Sequence, residues 1–381
     1  MHIGIDIRNI GKKRTGDEVV FFNLVKHLAL IDSINEYSLF TDITDTTILH
    51  SIVVKLGVEL KNNFKIISLP CSNKFVWNFW TLPKYLRRNP VDIYQTQYIT
   101  PFFVPKKVKI ITIIHDISFN FFPRLIKLLD LIFLKIFIPI SLKRAEKILT
   151  VSQFTRDEII NYYHIPNEKI DFFYNSISDN FSKLATDQEM ALAEKKYNLP
   201  EKFIFYIGTM QLRKNLFFLI EAFAKIKNRL PGVKLVLAGN KGAHNYDSQI
   251  DMVIKKYSLK NEVIFPGFID EQDKSAVFRK AQLFCFPSLY EGFGIPLLEA
   301  MSQEVPVLAS DIPSLREVAE KGALFFNPKQ VADLSEKIYN IYNDENLRNA
   351  LRQSGRDRLR FFSWETAAEK ILNIYNNLIK K

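Results

Sequence analysis

Short apolar runs that end in small or polar residues recur along the 381-residue chain, each followed by a segment of helical character. In the first half they are HIGID, KIISL, DIYQT, KIITIIHD and KILTVS; in the second they are FIFYIG, KLVLAG, VIFPG, LFCFPS and VPVLAS. Strands separated by helices lie parallel, and runs this rich in Val, Ile, Leu and Phe suit sheets covered on both faces. The pattern predicts an α/β chain of two doubly wound, Rossmann-like domains. At 47% hydrophobic residues there is enough apolar material for two cores. The polar stretch SISDNFSKLATDQEM marks the seam, so the domains are expected at 1–180 and 181–362. SWETAAEKILNIYNNLIKK, capped by Ser363, reads as a closing helix over 363–381. Open α/β sheets bind ligands beyond the carboxyl ends of their strands, which puts the expected site in a cleft between facing domains.

Charge and cysteine usage narrow the classes. Cys71 and Cys285 stand far apart with no CxxC, so neither a disulfide framework nor a zinc site is expected, and a reducing compartment fits. Asp6 and Arg8 interrupt the place where a signal peptide would carry its apolar stretch. The longest apolar run, Leu125 to Leu142, contains Lys127, Asp130, Lys135 and Pro139, which makes it a poor bilayer span. It reads as an amphipathic helix packed inside the protein, the alternative being a face that touches lipid. Net charge is +11, and residues 51 to 150 hold 16 Lys+Arg against 5 Asp+Glu, an excess equal to the whole net charge. Such a basic region suits an anionic membrane or a phosphate-bearing acceptor, and no nucleic-acid motif accompanies it. The expected location is cytoplasmic, at or near the inner face of the membrane.

Three segments carry the chemistry. In FPSLYEGFGIPLLEAMSQEVPVLASD, residues 286 to 311, a strand runs through a glycine-bearing loop into a helix with Pro296 in its first turn. Gly292 and Gly294 let a ligand approach the backbone, and the uncapped N–H groups of the helix favour a phosphate oxygen. With Glu291 on the loop and Glu299 one turn into the helix, two carboxylates can face opposite ends of one elongated ligand and accept from its hydroxyls. YIGTMQLRKNL, residues 206 to 216, again runs from strand through glycine to a basic pair and a helix; Arg213 as a bidentate fork and Lys214 as a point charge suit a diphosphate. His115 and Asp116 end the strand KIITIIHD, where His115 can donate to a hydroxyl or to a developing phosphate charge. Taken singly, each of these signals is commoner as an ordinary structural feature; their joint placement after strands carries the functional reading.

With GTMQLRKNL, VIFPGFIDEQDKSAVFRKA and FPSLYEGFGIPLLEAMSQEVPVLASD in view, the chain resembles the retaining glycosyltransferases of family 4, which have the GT-B fold. HDISFNFFP, TVSQFTRDEI and the start DIRN with its KRTG loop resemble the first domain of that family. The resemblance implies a metal-independent hexosyltransferase with an acceptor-side first domain, a nucleotide-sugar-binding second domain and a C-terminal helix, 363–381, that returns to the first domain. It places Glu299 on the donor ribose, Glu291 on the transferred sugar, and Arg213 with Lys214 on the diphosphate. The backbone from Gly292 through Phe293 and Gly294 to Ile295 completes the sugar-phosphate seat. Gly208 belongs to the same donor seat, Phe268 in the 267–269 turn borders the base, and His115 reaches the sugar. Arg14, Thr15 and Asp116 are the acceptor-side expectation. The implied catalytic group is Glu291, His115, Arg213 and Lys214. The mechanism implied is front-side substitution with retention, in which the departing phosphate helps deprotonate the acceptor and no protein nucleophile is needed. A DxD metal motif is absent from the sequence.

RKNL and LYEGFGIPLLEAM look most like mannosyltransferases of polysaccharide assembly, so GDP-mannose is the expected donor and a saccharide or lipid-linked saccharide the expected acceptor; glucose from a UDP donor comes next. Departures from the family pattern fall mainly in the first turn, GKKRTGDEVVFF, where Asp17 and Glu18 stand in or beside a loop that is commonly glycine-rich. Leu212 replaces a frequent Pro, and Asn175 to Ile177 replaces a frequent Asn-Gly-Val. The altered 11–20 loop keeps a second reading open, a catalytically silent nucleotide-sugar-binding subunit.

Overall fold

A computed structural model describes residues 1–12, 16–242 and 245–380. Arg14 and Thr15 lie outside the described residues. The chain divides into two compact units: residues 1–120, 128–175 and 363–381 form one, residues 121–127 and 176–362 the other.

In the first unit the strands are β1 (His2–Asp6), β2 (Glu36–Thr41), β3 (Phe64–Ser68), β4 (Ile93–Gln97), β5 (Lys109–Ile114), β6 (Lys147–Thr150) and β7 (Ile170–Phe172). They form one parallel sheet in the order β3-β2-β1-β4-β5-β6-β7. In the second unit β8 (Phe203–Ile207), β9 (Lys234–Ala238), β10 (Val263–Ile264), β11 (Leu283–Phe286), β12 (Val307–Ser310) and β13 (Ala323–Phe326) form a second parallel sheet, ordered β10-β9-β8-β11-β12-β13. The central strands are covered on both faces, as continuous apolar runs require: Phe203, Ile204, Phe205 and Tyr206 are all fully buried. Strand order reverses between β1 and β4 in one sheet and between β8 and β11 in the other. Those switch points open gaps at the carboxyl ends of the strands, where ligands of this architecture bind.

Five helices matter below: α1 (Asp17–Ile31), α2 (Leu128–Arg144), α3 (Leu216–Ile226), α4 (Ile295–Ser302) and α5 (Trp364–Lys380). Ser363 caps α5, accepting from the backbone N–H of Glu365 at 3.1 Å. Ala367, Ala368, Ile371 and Tyr375 form its buried stripe, and α5 packs on α1 inside the first unit. The Tyr375 hydroxyl donates to Gln95 Oε1 at 2.6 Å in the core, and Lys370 pairs with Asp171 at 2.8 Å. The expectation that α2 packs inside the protein needs correction: Phe133, Ile138, Ser141 and Leu142 are buried, but Leu128, Leu129, Ile132, Ile136 and Ile140 are exposed.

Candidate functional site

Two loops of the second unit flank its switch point. After β8 the chain turns at Gly208, which has φ 153°; a Cβ there would lie 2.7 Å from the Tyr206 hydroxyl, so larger residues are excluded. A single 3₁₀ turn, Leu212–Lys214, then presents the basic pair, and Asn215, in the left-handed region at φ 58°, redirects the chain into α3. After β11, residues Pro287 to Gly294 form the second loop. Gly294 has φ 107°, and a Cβ there would lie 2.8 Å from Leu315 Cδ2, so glycine is required before α4 begins. The two loops are tied together where Leu289 N–H donates to the Arg213 carbonyl at 2.8 Å.

This junction brings Arg213, Lys214 and Glu291 into contact. Arg213 Nη1 donates to the Tyr290 carbonyl at 3.1 Å and to Glu291 Oε2 at 3.3 Å, while Lys214 Nζ donates to Glu291 Oε1. Glu291 and Lys214 are each 8% exposed. Lys214 Nζ also stands 5.3 Å from the centre of the Phe286 ring. Burial alone would raise the Glu291 carboxyl, but the Lys214 and Arg213 charges outweigh it and hold the group below its ordinary value, so it is ionised at neutral pH.

Glu299 has the opposite setting. It lies on α4, 6% exposed, and among the described residues no hydrogen bond reaches its carboxyl. Burial pushes its pKa up to about 7; Lys274 opposes the rise and Glu271 adds to it. Lys274 is engaged with Glu271 at 2.5 Å. In the loop after β8, the Thr209 hydroxyl is buried with no partner among the described residues. Gly239 N–H donates to the Gly267 carbonyl at 2.8 Å, which fixes the 267–269 turn, and Phe268 in that turn is exposed. Phe293 is buried against Phe362, ring centres 5.7 Å apart, so its backbone rather than its ring is presented to the loop.

His115 and Asp116 belong to the first unit, at the end of β5. His115 Nε2 lies 3.1 Å from Gln97 Oε1, between the rings of Phe21 and Tyr98. Burial lowers its pKa against the pull of Asp17 and Asp116, so the ring is neutral at pH 7. Asp116 Oδ1 accepts from the Ser118 N–H at 2.9 Å and shapes the turn. Asp17 and Glu18 occupy the first turn of α1, and Glu18 Oε1 accepts from the Gly11 N–H at 2.8 Å.

Two features escaped the sequence reading. Asp6 and Arg8, at the end of β1 beside the first unit's switch point, form a bidentate pair with contacts of 2.9 and 2.7 Å. Arg8 lies 4.3 Å from the centre of the Trp77 ring. Alternating D-x-R at a strand end was the available signal. Lys274, which faces Glu299, is the second; its i,i+3 spacing from Glu271 resembles an ordinary helix-surface pair. Among the described residues no cluster of His, Cys, Asp and Glu suits a metal ion, and no helix is long and apolar enough to cross a membrane.

Comparison with known proteins follows the same division. Residues 187–358 match the family model described as glycosyl transferases group 1, and residues 16–181 match that of glycosyltransferase family 4. The O-antigen chain mannosyltransferase B of Escherichia coli is 26% identical over 379 residues, covering 93% of this chain and 94% of that protein. The O-antigen chain mannosyltransferase RfbU of Salmonella typhimurium is 26% identical over 343 residues, 88% of this chain and 90% of its own. A crystal structure of a glycosyltransferase from Rickettsia africae ESF-5 superposes with a TM-score of 0.76 at 19% identity, covering 100% of this chain and 99% of that one, a likeness of fold.

Proposed function

The chain belongs to glycosyltransferase family 4 of the group 1 glycosyltransferases, with the GT-B fold, and on that premise we propose that it transfers mannose from GDP-mannose to a saccharide or lipid-linked saccharide. The transfer retains anomeric configuration, serves cell-surface polysaccharide assembly and takes place at the cytoplasmic face of the membrane. The mannosyltransferase names of the two long relatives support the choice of sugar. The observation that carries the reading is the contrast within one strand-loop-helix: a buried carboxylate held by two cations at Glu291, and a buried carboxyl with no hydrogen-bond partner among the described residues at Glu299.

In this reading the donor ribose supplies the hydroxyl donors that Glu299 lacks, and its arrival favours the ionised form. Arg213 and Lys214 take the diphosphate. Their charge is most useful as the bond to the sugar breaks, because negative charge then grows on the leaving phosphate. Glu291 orients both cations and accepts from a hydroxyl of the transferred sugar. Gly208, Gly292, Gly294 and the α4 N-terminus at Ile295 admit the sugar-phosphate to the backbone, and Phe268 borders the base. The neutral His115 ring gives its one N–H to Gln97 Oε1, which leaves Nδ1 to accept from a sugar hydroxyl, and Asp116 lies on the acceptor side. No metal takes part, the protein cations supplying the charge.

The test is turnover of GDP-mannose, UDP-glucose and ADP-glucose with saccharide acceptors, followed by release of GDP, UDP or ADP respectively and by the anomeric coupling of the product. GDP-mannose turnover with retention is expected; turnover confined to another donor, or an inverted product, overturns it. The acidic first turn of α1, with Asp17 and Glu18, favours a second reading, a binding subunit without transfer. Tight donor binding with neither transfer nor slow hydrolysis over many acceptors would select that reading.

A further inference from the structure

The exposed apolar face of α2 in the first unit extends onto two neighbouring segments. Along α2 the exposed residues are Leu128, Leu129, Ile132, Lys135, Ile136, Ile140 and Lys143, which repeat at helical spacing and occupy one side. Leu129 is 81% exposed. Beneath them lies an aromatic layer. Phe133 meets Phe75 at 4.7 Å and Phe137 at 4.6 Å; Phe137 meets Phe102 at 5.1 Å and Phe79 at 5.9 Å; Phe79 stacks on Phe102 at 4.4 Å. Phe75 of that layer is 43% exposed, and two rings packed on Phe79 project farther into solvent, Trp80 at 66% and Phe103 at 63% exposed. Trp80 sits in a single π-helical turn, Trp77–Thr81, and Phe103 is held in the left-handed region at φ 59°. A bulky residue in that conformation costs about 1–3 kcal/mol and persists only where its surroundings impose it.

The segments that carry the two projecting rings are basic. Lys84, Arg87 and Arg88 follow Trp80, Lys106 and Lys107 follow Phe103, all five exposed, and Asp130 of α2 is taken up by Lys74. Large exposed aromatic and aliphatic side chains on segments that also carry exposed lysines and arginines fit the acyl boundary of a bilayer with anionic head groups, since apolar burial and charge attraction act together there. A protein partner would more often meet a charge-depleted centre with a mixed rim.

We propose that this face docks on an anionic lipid leaflet, with Trp80, Phe103 and the Leu128–Ile140 side of α2 entering the acyl boundary. The inference deepens the proposed function by giving the lipid-linked acceptor's membrane as the partner, and it stands on the first unit alone. Trp80 supplies a direct probe, because the other two tryptophans, Trp77 and Trp364, are buried.

The experiment adds the full chain to phosphatidylcholine vesicles with and without 30% phosphatidylglycerol at low salt, follows tryptophan emission, and repeats with brominated acyl chains. Expected are a blue shift and bromine quenching with the anionic vesicles only, both lost in Trp80→Phe. Co-sedimentation with the anionic vesicles should drop at least ~10-fold in Trp80→Ser/Phe103→Ser and in Lys106→Glu/Lys107→Glu, while GDP binding, which belongs to the other unit, stays unchanged. No shift with anionic vesicles, equal shifts with neutral ones, or co-sedimentation unaffected by the substitutions overturns the proposal. Self-association that buries Trp80 without lipid overturns it in favour of a second copy of the chain.

Discussion

Glu291 and Glu299 stand eight positions apart and both are buried, yet Glu291 has two cations in contact while Glu299 feels Lys274, which is already engaged with Glu271, and the opposing charge of Glu271 itself. The difference sets two testable outcomes. Lys214→Met should cost about 3–5 kcal/mol, because it leaves a buried carboxylate with only the more distant Arg213 cation, and adding Glu291→Gln should restore most of that loss without restoring donor binding. Urea unfolding of the single and double variants measures it. For Glu299, a folded pKa of about 7 against an ordinary glutamate near 4.5 means the native state binds more protons than the unfolded chain between those values. Stability therefore falls as pH rises through that window, by about 3 kcal/mol in total. Glu299→Gln should abolish that slope and raise the melting temperature of the ligand-free protein at pH 8, while weakening donor binding. An unchanged slope in the variant would show that Glu299 is not the group responsible. Glu291, with its depressed value, acts the other way: its contribution is present above the ordinary glutamate range and is lost as pH falls through its folded value.

At the level of elements, the site depends on how closely the loops after β8, β9 and β11 approach each other. A Cβ at Gly239 would lie 2.1 Å from the Gly208 carbonyl oxygen, and Gly239 has φ 145°. Gly239→Ala should therefore cost roughly 2–4 kcal/mol and weaken donor binding. Gly232→Ala, at φ 78° with nothing within 4 Å, should cost only about 1 kcal/mol and leave binding alone. Parallel melting and nucleotide titrations separate the two. Most strands were legible as apolar runs, but β2, β7 and β13 were not. β2 reads EYSLFT, in which Glu36, Ser38 and Thr41 break the apolar run, and β7 and β13 are short edge strands of three and four residues. The basic pair and the Glu-bearing loop were legible because each follows a strand. Lys274 and the Asp6–Arg8 pair were not, because their partners are set by packing rather than by spacing along the chain. The exposed side of α2 was misread for a related reason: a run that is apolar nearly all round does not announce which side is covered.

For the whole molecule, the sequence pattern identified two parallel-sheet units and a closing helix, the family resemblance implied that this helix returns to the first unit, and the packing of α5 on α1 supplies the physical reason for the return. The chain passes between units after Asn120, Lys127, Asn175 and Phe362, so segments 121–127 and 363–381 join units that sequence order alone would not assign to them. The closure depends on Tyr375. Tyr375→Phe removes the donor to a fully buried Gln95 Oε1 and should cost about 1–3 kcal/mol, read as a lower urea midpoint with unchanged GDP affinity.

The claim on which the account turns is that Arg213 and Lys214 hold the donor's diphosphate. Calorimetric titration of GDP into the wild-type protein and into Arg213→Gln/Lys214→Gln, at a temperature where circular dichroism shows both folded, tests it most directly. Removing both charge-assisted hydrogen bonds at once should weaken binding at least ~100-fold. Equal affinity in the two proteins would contradict the account.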